Sequence, residues 1–174
     1  MRRVLVTGNT GAGKTTAARR LAGLLDLPFH EVDELAFEPG WAPSPTYLAE
    51  VTALADGPAW VLDTWGDARI RDPLWARADT VVWLDYPLRV VLPRIVRRSL
   101  RRTIRREKIF NGNTEAYAEW LHRDHPVWSS MSTHRHRRAE MVRRLPRFPQ
   151  LTTIRLERPS ETEAWLSALG RERP

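Results

Sequence analysis

The sequence predicts an α/β fold in which helices cover both faces of a parallel sheet. Two runs, at residues 59–63 and 80–85, are apolar at successive positions rather than at alternate ones, as expected for strands that are buried on both faces. A shorter apolar run at residues 3–7 leads into a glycine-rich turn and then into a segment with helical periodicity. Strand-like and helix-like segments alternate along the whole chain, which is typical of a three-layer α/β domain.

The individual elements are short and closely spaced. Their limits are set by changes of apolar periodicity and by Pro, Gly and Asp residues at the boundaries. The predicted strands cover residues 3–7, 29–33, 59–63, 80–85 and 151–156. The main predicted helices cover residues 14–25, 46–55 and 160–169. Neither a repeat nor a linker interrupts the pattern, so a single domain is predicted over residues 1–174.

Composition limits the kind of protein. The 174 residues are 42% hydrophobic, which suits one buried core, and no run approaches the roughly 18 apolar residues of a membrane span. There is no cysteine, which excludes disulfides and thiolate metal sites. A cytoplasmic protein is therefore expected, and its net charge of +7 predicts attraction to anions.

The glycine-rich turn carries the most specific motif. Residues 8–15 match the pattern G-x-x-x-x-G-K-[ST], whose backbone N–H groups surround phosphate oxygens at the start of a helix. Lys14 is expected to contact the β- and γ-phosphates of ATP, and the Thr15 hydroxyl is expected to bind Mg²⁺. The predicted nucleotide-binding residues are Gly8, Asn9, Thr10, Gly11, Ala12, Gly13, Lys14, Thr15 and Thr16.

Aspartates end three of the predicted strands. Asp85 follows an apolar strand in the manner of a Walker B aspartate, which predicts a second Mg²⁺ ligand; helix capping is the alternative. Asp33 and Asp63 end two other strands, and ligands of parallel sheets bind at the carboxyl ends of the strands. Asp33 is a candidate to accept the proton of a substrate hydroxyl or to hold a metal-bound water, and Asp63 is a second candidate at the same edge. Capping is again the alternative for both.

An arginine-rich segment follows the fourth strand. Residues 94–106 hold seven arginines and no acid. On a helix, the stripe formed by Leu92, Val96, Leu100 and Ile104 is predicted to pack on the core. The arginines opposite would clamp phosphates, bind the backbone of a nucleic acid, or remain solvated. We favour a phosphate clamp, with Arg98 and Arg102 as the catalytic candidates.

The segment after this helix predicts a mobile cover. Residues 107–128 are rich in aromatic residues and histidine, and a cover that closes would exclude water from the reaction. The lid insertion is accordingly predicted at about residues 97–128. Trp41, in a loop that contains Pro and Gly, is a candidate for lining the substrate pocket.

The motifs together resemble the P-loop kinases related to adenylate and shikimate kinase, in particular a bacterial branch called topology-modulation or adenylate-kinase-related proteins. The likeness covers nearly the whole chain. The matching segments are residues 8–16, His30-x-x-Asp33, Pro39-Gly40-Trp41, residues 60–63 and 77–85, the arginine-rich segment, and Asn111-Gly-Asn-x-Glu115. The third strand departs from that pattern, because Asp63 is followed by Thr-Trp-Gly rather than by Gly-Asn-Tyr.

This resemblance implies a five-stranded parallel sheet in the order 2-3-1-4-5. It also implies a substrate site near Asp33, Asp63 and Arg69, and a lid that begins within residues 97–106. The leading hypothesis is an ATP- and Mg²⁺-dependent kinase that acts on a nucleotide or another small hydroxyl-bearing metabolite. The alternatives are a nucleic-acid-associated NTPase and a nucleotide sensor without turnover.

Overall fold

A computed structural model describes residues 1–122 and 125–171 and contains a five-stranded parallel sheet with helices around it. The strands are β1 (Arg3–Gly8), β2 (Phe29–Glu31), β3 (Trp60–Asp63), β4 (Thr80–Leu84) and β5 (Thr152–Leu156). The helices are α1 (Lys14–Leu25), α2 (Val32–Leu35), α3 (Tyr47–Asp56), α4 (Ala68–Arg77), α5 (Leu88–Arg105), α6 (Pro126–Arg144) and α7 (Pro159–Arg171). The predicted domain and lid include residues 123–124 and 172–174, which lie outside the described part.

The strand order is β2-β3-β1-β4-β5, and every neighbouring pair is parallel. The predicted order is therefore confirmed. In the register, Val6 of β1 lies opposite Asp63 of β3, and Gly8 lies opposite Leu84 of β4. The glycine-rich turn thus begins at the carboxyl edge of the sheet, beside the ends of β3 and β4.

The sheet is buried on both faces. Val4 and Val6 of β1 join the apolar cluster that contains α1 and α7, whereas Leu5, which lies between them, joins the cluster of α3 and α4. Each of these three β1 side chains is at most 1% exposed. Continuous apolar strands therefore indicated the buried parallel sheet correctly.

Three local predictions need revision. Strand β2 ends at Glu31, two residues earlier than predicted, so Asp33 lies in the first turn of the short helix α2. Helices α4 and α6 were not predicted. Helix α4 contains Pro73, and a proline inside a pattern normally argues for a helix end. Helix α6 buries only Val127, Ser130, His134 and Met141, so its apolar periodicity is weak.

Helix α5 packs through a different face from the one that was predicted. Its buried residues are Val91, Ile95, Ser99 and Thr103, whereas Ile104 of the predicted apolar stripe is 65% exposed. The prediction was wrong because Ser99 and Thr103 are polar and were therefore expected on the solvent side, although both side chains face the protein interior. Within residues 1–122 and 125–171, no helix is long and apolar enough to cross a membrane.

Candidate functional site

The turn between β1 and α1 forms a compact loop with two glycines in the left-handed region. Gly13 precedes α1 with a φ of 88°, and no side chain in the described residues caps the first turn of that helix. Gly11 has a φ of 80°, and a Cβ at this position would lie 2.5 Å from Ile95 Cγ1 and 2.7 Å from the Val91 carbonyl oxygen. Larger residues are therefore excluded at Gly11, because α5 packs directly against the loop. The uncapped N–H groups at the start of α1 are available for an anion.

A cavity of about 570 Å³ lies beside this loop. It brings together residues that are far apart in the chain, including eight of the predicted site residues. Those eight are Thr10, Lys14, Thr15, Asp33, Trp41, Asp63, Arg98 and Arg102. The other lining residues are Glu31, Phe37, Ile109, Phe110, Glu115, His122, His125 and Pro126. Two strand ends, the loop before α1, helix α5 and the segment after α5 thus meet at one place.

Two carboxylates surround the Thr15 hydroxyl. Thr15 Oγ1 donates a short hydrogen bond to Asp63 Oδ2 and lies 3.4 Å from Glu31 Oε1. The second oxygen of Asp63 is buried without a hydrogen-bond partner among the described residues. A hydroxyl, two carboxylates and an unpaired carboxylate oxygen form a set of hard oxygen donors, which suits Mg²⁺.

The electrostatics of these carboxylates favour a bound cation. Burial raises the pKa of Asp63, against the opposing effects of Lys14 and of the Thr15 hydrogen bond. Burial also raises the pKa of Glu31, and the nearby charge of Asp63 adds to that rise. A divalent cation between the two groups would remove their mutual repulsion. Among the described residues, no group of three or more His, Cys, Asp or Glu side chains is arranged so that it could hold a metal ion by itself.

Arginines from α5 form the opposite wall of the cavity. Arg102 Nη1 donates to Glu115 Oε1 at 3.0 Å, and the Glu115 side chain is only 6% exposed. The buried Arg98 Nε has no hydrogen-bond partner among the described residues. Burial, and after it the charge of Arg102, lowers the pKa of Arg98. Because a buried N–H group without a partner is costly, Arg98 is suited to receiving an anion.

Asp33 lies on the same cavity, in the first turn of α2. It is exposed to solvent, unlike Asp63, which is 3% exposed. Its charge counteracts the decrease in the pKa of Arg98, so the two groups are close enough to interact. An accessible carboxylate near a cation is placed where it can meet a substrate hydroxyl.

Asp85 does not reach this cavity. Its side chain is 2% exposed and accepts hydrogen bonds from Arg138 at 3.0 Å and from Arg155 at 2.9 and 2.5 Å. It lines a separate cavity together with Pro87, His134 and other residues. The proposed Mg²⁺ ligand at Asp85 therefore needs correction: two arginines already neutralise this carboxylate, and the acids beside Thr15 are Asp63 and Glu31.

Arg69 does not line this cavity. Its side chain is 67% exposed and forms an ion pair with Asp67 at 2.9 Å. Asp67 caps α4 by accepting a hydrogen bond from the Arg69 backbone N–H, so this pair organises the start of the helix. The substrate-binding role that the resemblance implied for Arg69 remains a prediction.

Several cavity residues were not identified from the sequence. Glu31 is the most important, because its Oε1 lies 3.4 Å from Thr15 Oγ1, within the range of a weak hydrogen bond. Its only sequence signal was its place at the end of β2, two residues before Asp33. Glu115 had a stronger signal, since it ends the Asn-Gly-Asn-x-Glu segment that contributed to the resemblance.

Comparisons with known proteins support the fold. No family model and no curated protein matches the chain. Solved structures do match it over nearly its whole length. A shikimate kinase from Bacteroides thetaiotaomicron is 21% identical with a TM-score of 0.54, and the match covers 98% of this chain and 97% of that one. A gluconokinase from Sinorhizobium meliloti 1021 is 17% identical with a TM-score of 0.51, and the coverage is 98% and 94%.

A deoxyadenosine kinase from M. mycoides with bound dATP has 12% identity and a TM-score of 0.51, over 95% of this chain and 98% of that one. The chain therefore has the fold of P-loop small-molecule kinases. The narrower likeness to topology-modulation proteins remains a prediction.

Proposed function

We propose that this protein is an ATP-dependent kinase that transfers the terminal phosphoryl group of ATP to a hydroxyl group of a small molecule. The observation that carries the proposal is the composition of one cavity. It contains Lys14 and Thr15 of the phosphate-binding motif, three carboxylates at the sheet edge and two arginines of α5. Phosphoryl transfer depends on positioning and on charge stabilisation, and this cavity contains groups suited to both.

The residues of the loop and of α1 would hold the nucleotide. Backbone N–H groups of residues 8–13 and of the first turn of α1 would bind phosphate oxygens, and Lys14 would contact the outer phosphates. Thr15, Asp63 and Glu31 would hold Mg²⁺, which supplies neutralisation of phosphate charge when it is bound. The unpaired buried oxygen of Asp63 supports this assignment.

The acceptor would lie on the Asp33 side of the cavity. As the bond between the acceptor oxygen and phosphorus forms, the bond from phosphorus to the bridging oxygen of ADP breaks. The hydroxyl proton passes to the Asp33 carboxylate, which acts as the general base. Arg98 would stabilise the transferred group, while the Glu115 carboxylate holds Arg102 in place at 3.0 Å. Residues 97–128 would serve as the lid that excludes water.

The test is ADP formation by the purified protein with Mg-ATP, alone and then with pooled nucleoside monophosphates and pooled small metabolites. The Lys14→Ala variant is the control. Strong stimulation by one acceptor pool that is lost in the variant is the expected result. Stimulation by DNA or RNA alone would instead identify a nucleic-acid-associated NTPase, and ATP binding without turnover would identify a nucleotide sensor.

A further inference from the structure

A buried asparagine joins two loops that are about 70 residues apart in the chain. Asn113 is 4% exposed. Its Oδ1 accepts a hydrogen bond from the Trp41 backbone N–H at 2.9 Å, and its Nδ2 donates to the Glu38 carbonyl at 3.0 Å. The same Nδ2 donates to the Phe110 carbonyl at 2.6 Å. One side chain therefore fixes the segment after α5 against the segment after α2.

A second set of hydrogen bonds reinforces this junction. Asn111 Nδ2 donates to the carbonyls of Glu34 at 3.1 Å and Phe37 at 2.7 Å. The Trp41 indole N–H donates to the Thr114 carbonyl at 3.3 Å. These bonds have specific donors and acceptors, so residues 36–43 and 109–115 form one local unit.

The backbone of this unit is strained at aromatic positions. Trp41 and Phe110 have φ values of 60° and 36°, and Asn111 has a φ of 60°. Side chains with a Cβ rarely adopt this left-handed region, and such strain is concentrated at functional sites. In this protein the strained residues carry two of the aromatic rings that line the cavity.

The rings form an apolar wall. Phe37 and Trp41 meet edge to face with ring centroids 5.4 Å apart, and Trp41 meets Phe110 in the same way at 6.3 Å. All three rings line the cavity, and Ile109 lies beside them. Much of the remaining lining is charged or carries imidazole, so the cavity has a distinct aromatic part.

We propose that this aromatic wall is the acceptor subsite, that it selects an acceptor with a flat, apolar ring, and that Asn113 is the positioning residue that holds it. A flat ring can stack on or pack against these aromatic faces, whereas the hydroxyls of a polyol and the carboxylate of a sugar acid would find no hydrogen-bond partner on the rings. A nucleoside fits this chemistry, because it joins a flat ring to a hydroxyl-bearing sugar. The inference rests on the proposed kinase function and names its acceptor class.

Matched acceptors test the ring requirement. Adenosine and thymidine are compared with ribose, which shares a hydroxyl-bearing sugar but lacks the base, and with gluconate. Phosphorylation of each is measured with saturating Mg-ATP. We expect the nucleosides to be phosphorylated with a kcat/KM that is at least roughly 10-fold above that of ribose, the effect of one aromatic–base stack. Equal or better use of ribose or gluconate would overturn the proposal.

Two variants test the residues. Trp41→Leu should raise the KM for the nucleoside by roughly 10-fold or more, since stacking is lost, while the KM for ATP stays unchanged. Asn113→Ala should raise the same KM and also the ratio of ADP formed to acceptor phosphorylated, because the loops would close less well. The matched control is Trp165→Leu, since Trp165 lies on α7, is partly buried against the core and does not line the cavity.

The remaining outcomes separate this inference from the kinase proposal. A Trp41→Leu effect on the KM for ATP alone would show that the wall binds the nucleotide base, and would overturn the inference. If no acceptor is phosphorylated, the kinase proposal fails. The aromatic subsite can still be tested by calorimetric binding of thymidine to protein saturated with a non-hydrolysable ATP analogue. Binding that is lost in Trp41→Leu would support an aromatic subsite, and absence of binding to the wild type would contradict it.

Discussion

Three effects act on the pKa of Asp63: burial, the Lys14 charge and a hydrogen bond from Thr15. Burial is the largest of them, so the folded protein favours the protonated acid more than the unfolded chain does. A cation bound at this position would favour the ionised carboxylate instead. The same residue therefore links stability, pH and metal binding.

The Asp63→Asn substitution tests whether Asp63 binds Mg²⁺, as the structure suggests, or whether Asp85 does, as the sequence suggested. We expect it to raise the Mg²⁺ concentration for half-maximal activity by at least about 10-fold, since even outer-shell partners of a metal cost that much. Asp85→Asn should leave this concentration unchanged. It should instead lower the free energy of unfolding by about 1–3 kcal/mol, because its buried oxygen accepts from two arginines. A Mg²⁺ effect at Asp85 and none at Asp63 would restore the Walker B interpretation.

The raised pKa of Asp63 has a predictable effect on stability. Between the ordinary aspartate pKa of about 4 and the raised value, the folded state binds more protons than the unfolded state. The free energy of unfolding therefore falls as the pH rises through that window. Asn cannot ionise, so the stability of Asp63→Asn relative to the wild type should rise over the same window. Urea unfolding of both proteins, without Mg²⁺ and at several pH values from about 4 upwards, measures this; a constant difference would contradict it.

At the scale of elements, helix α5 decides how the cavity is closed. It presents Val91 and Ile95 to the core and to the loop before α1, and it presents Arg98 and Arg102 to the cavity. Its exposed side includes Ile104 and Leu100. The helix therefore positions the guanidinium groups relative to the phosphate-binding loop through packing.

Two isoleucine substitutions test this orientation of α5. Ile95→Ala should lower the free energy of unfolding by about 2–4 kcal/mol, because a fully buried side chain leaves a cavity. Ile104→Ala should change it by no more than about 0.5 kcal/mol, because that side chain is 65% exposed. Urea unfolding measures both, and a larger cost at Ile104 would mean that the helix packs through the stripe predicted from the sequence.

Sequence patterns predicted the features that depend on near neighbours. Lys14 and Thr15 were located by a motif of eight residues, and the buried strands by their continuous apolar runs. The sequence did not show that Asp85 pairs with Arg138 and Arg155, because these arginines lie 53 and 70 residues further along the chain. The face of α5 was misassigned because Ser99 and Thr103 are buried polar residues. Patterns of polarity cannot show which polar side chains the folded chain buries.

At the scale of the whole molecule, the sheet order determines which loops meet. Placing β1 between β3 and β4 brings the ends of β1 and β3 together, which joins Asp63 to the Thr15 hydroxyl. That order was inferred from the resemblance, since strand patterns alone do not order a sheet. The meeting of the segments after α2 and α5 was outside the reach of the sequence, because it depends on side-chain hydrogen bonds from Asn111 and Asn113.

In the proposed reaction, the terminal phosphoryl group of ATP moves to a small molecule. The most direct measurement uses ATP labelled at the terminal phosphate and follows the label in the presence of the stimulating acceptor pool. We expect the label to appear in a phosphorylated acceptor, with little in inorganic phosphate, and to remain in ATP with Lys14→Ala. Label that appears only in inorganic phosphate, whatever acceptor is supplied, would rule out phosphoryl transfer to a small molecule.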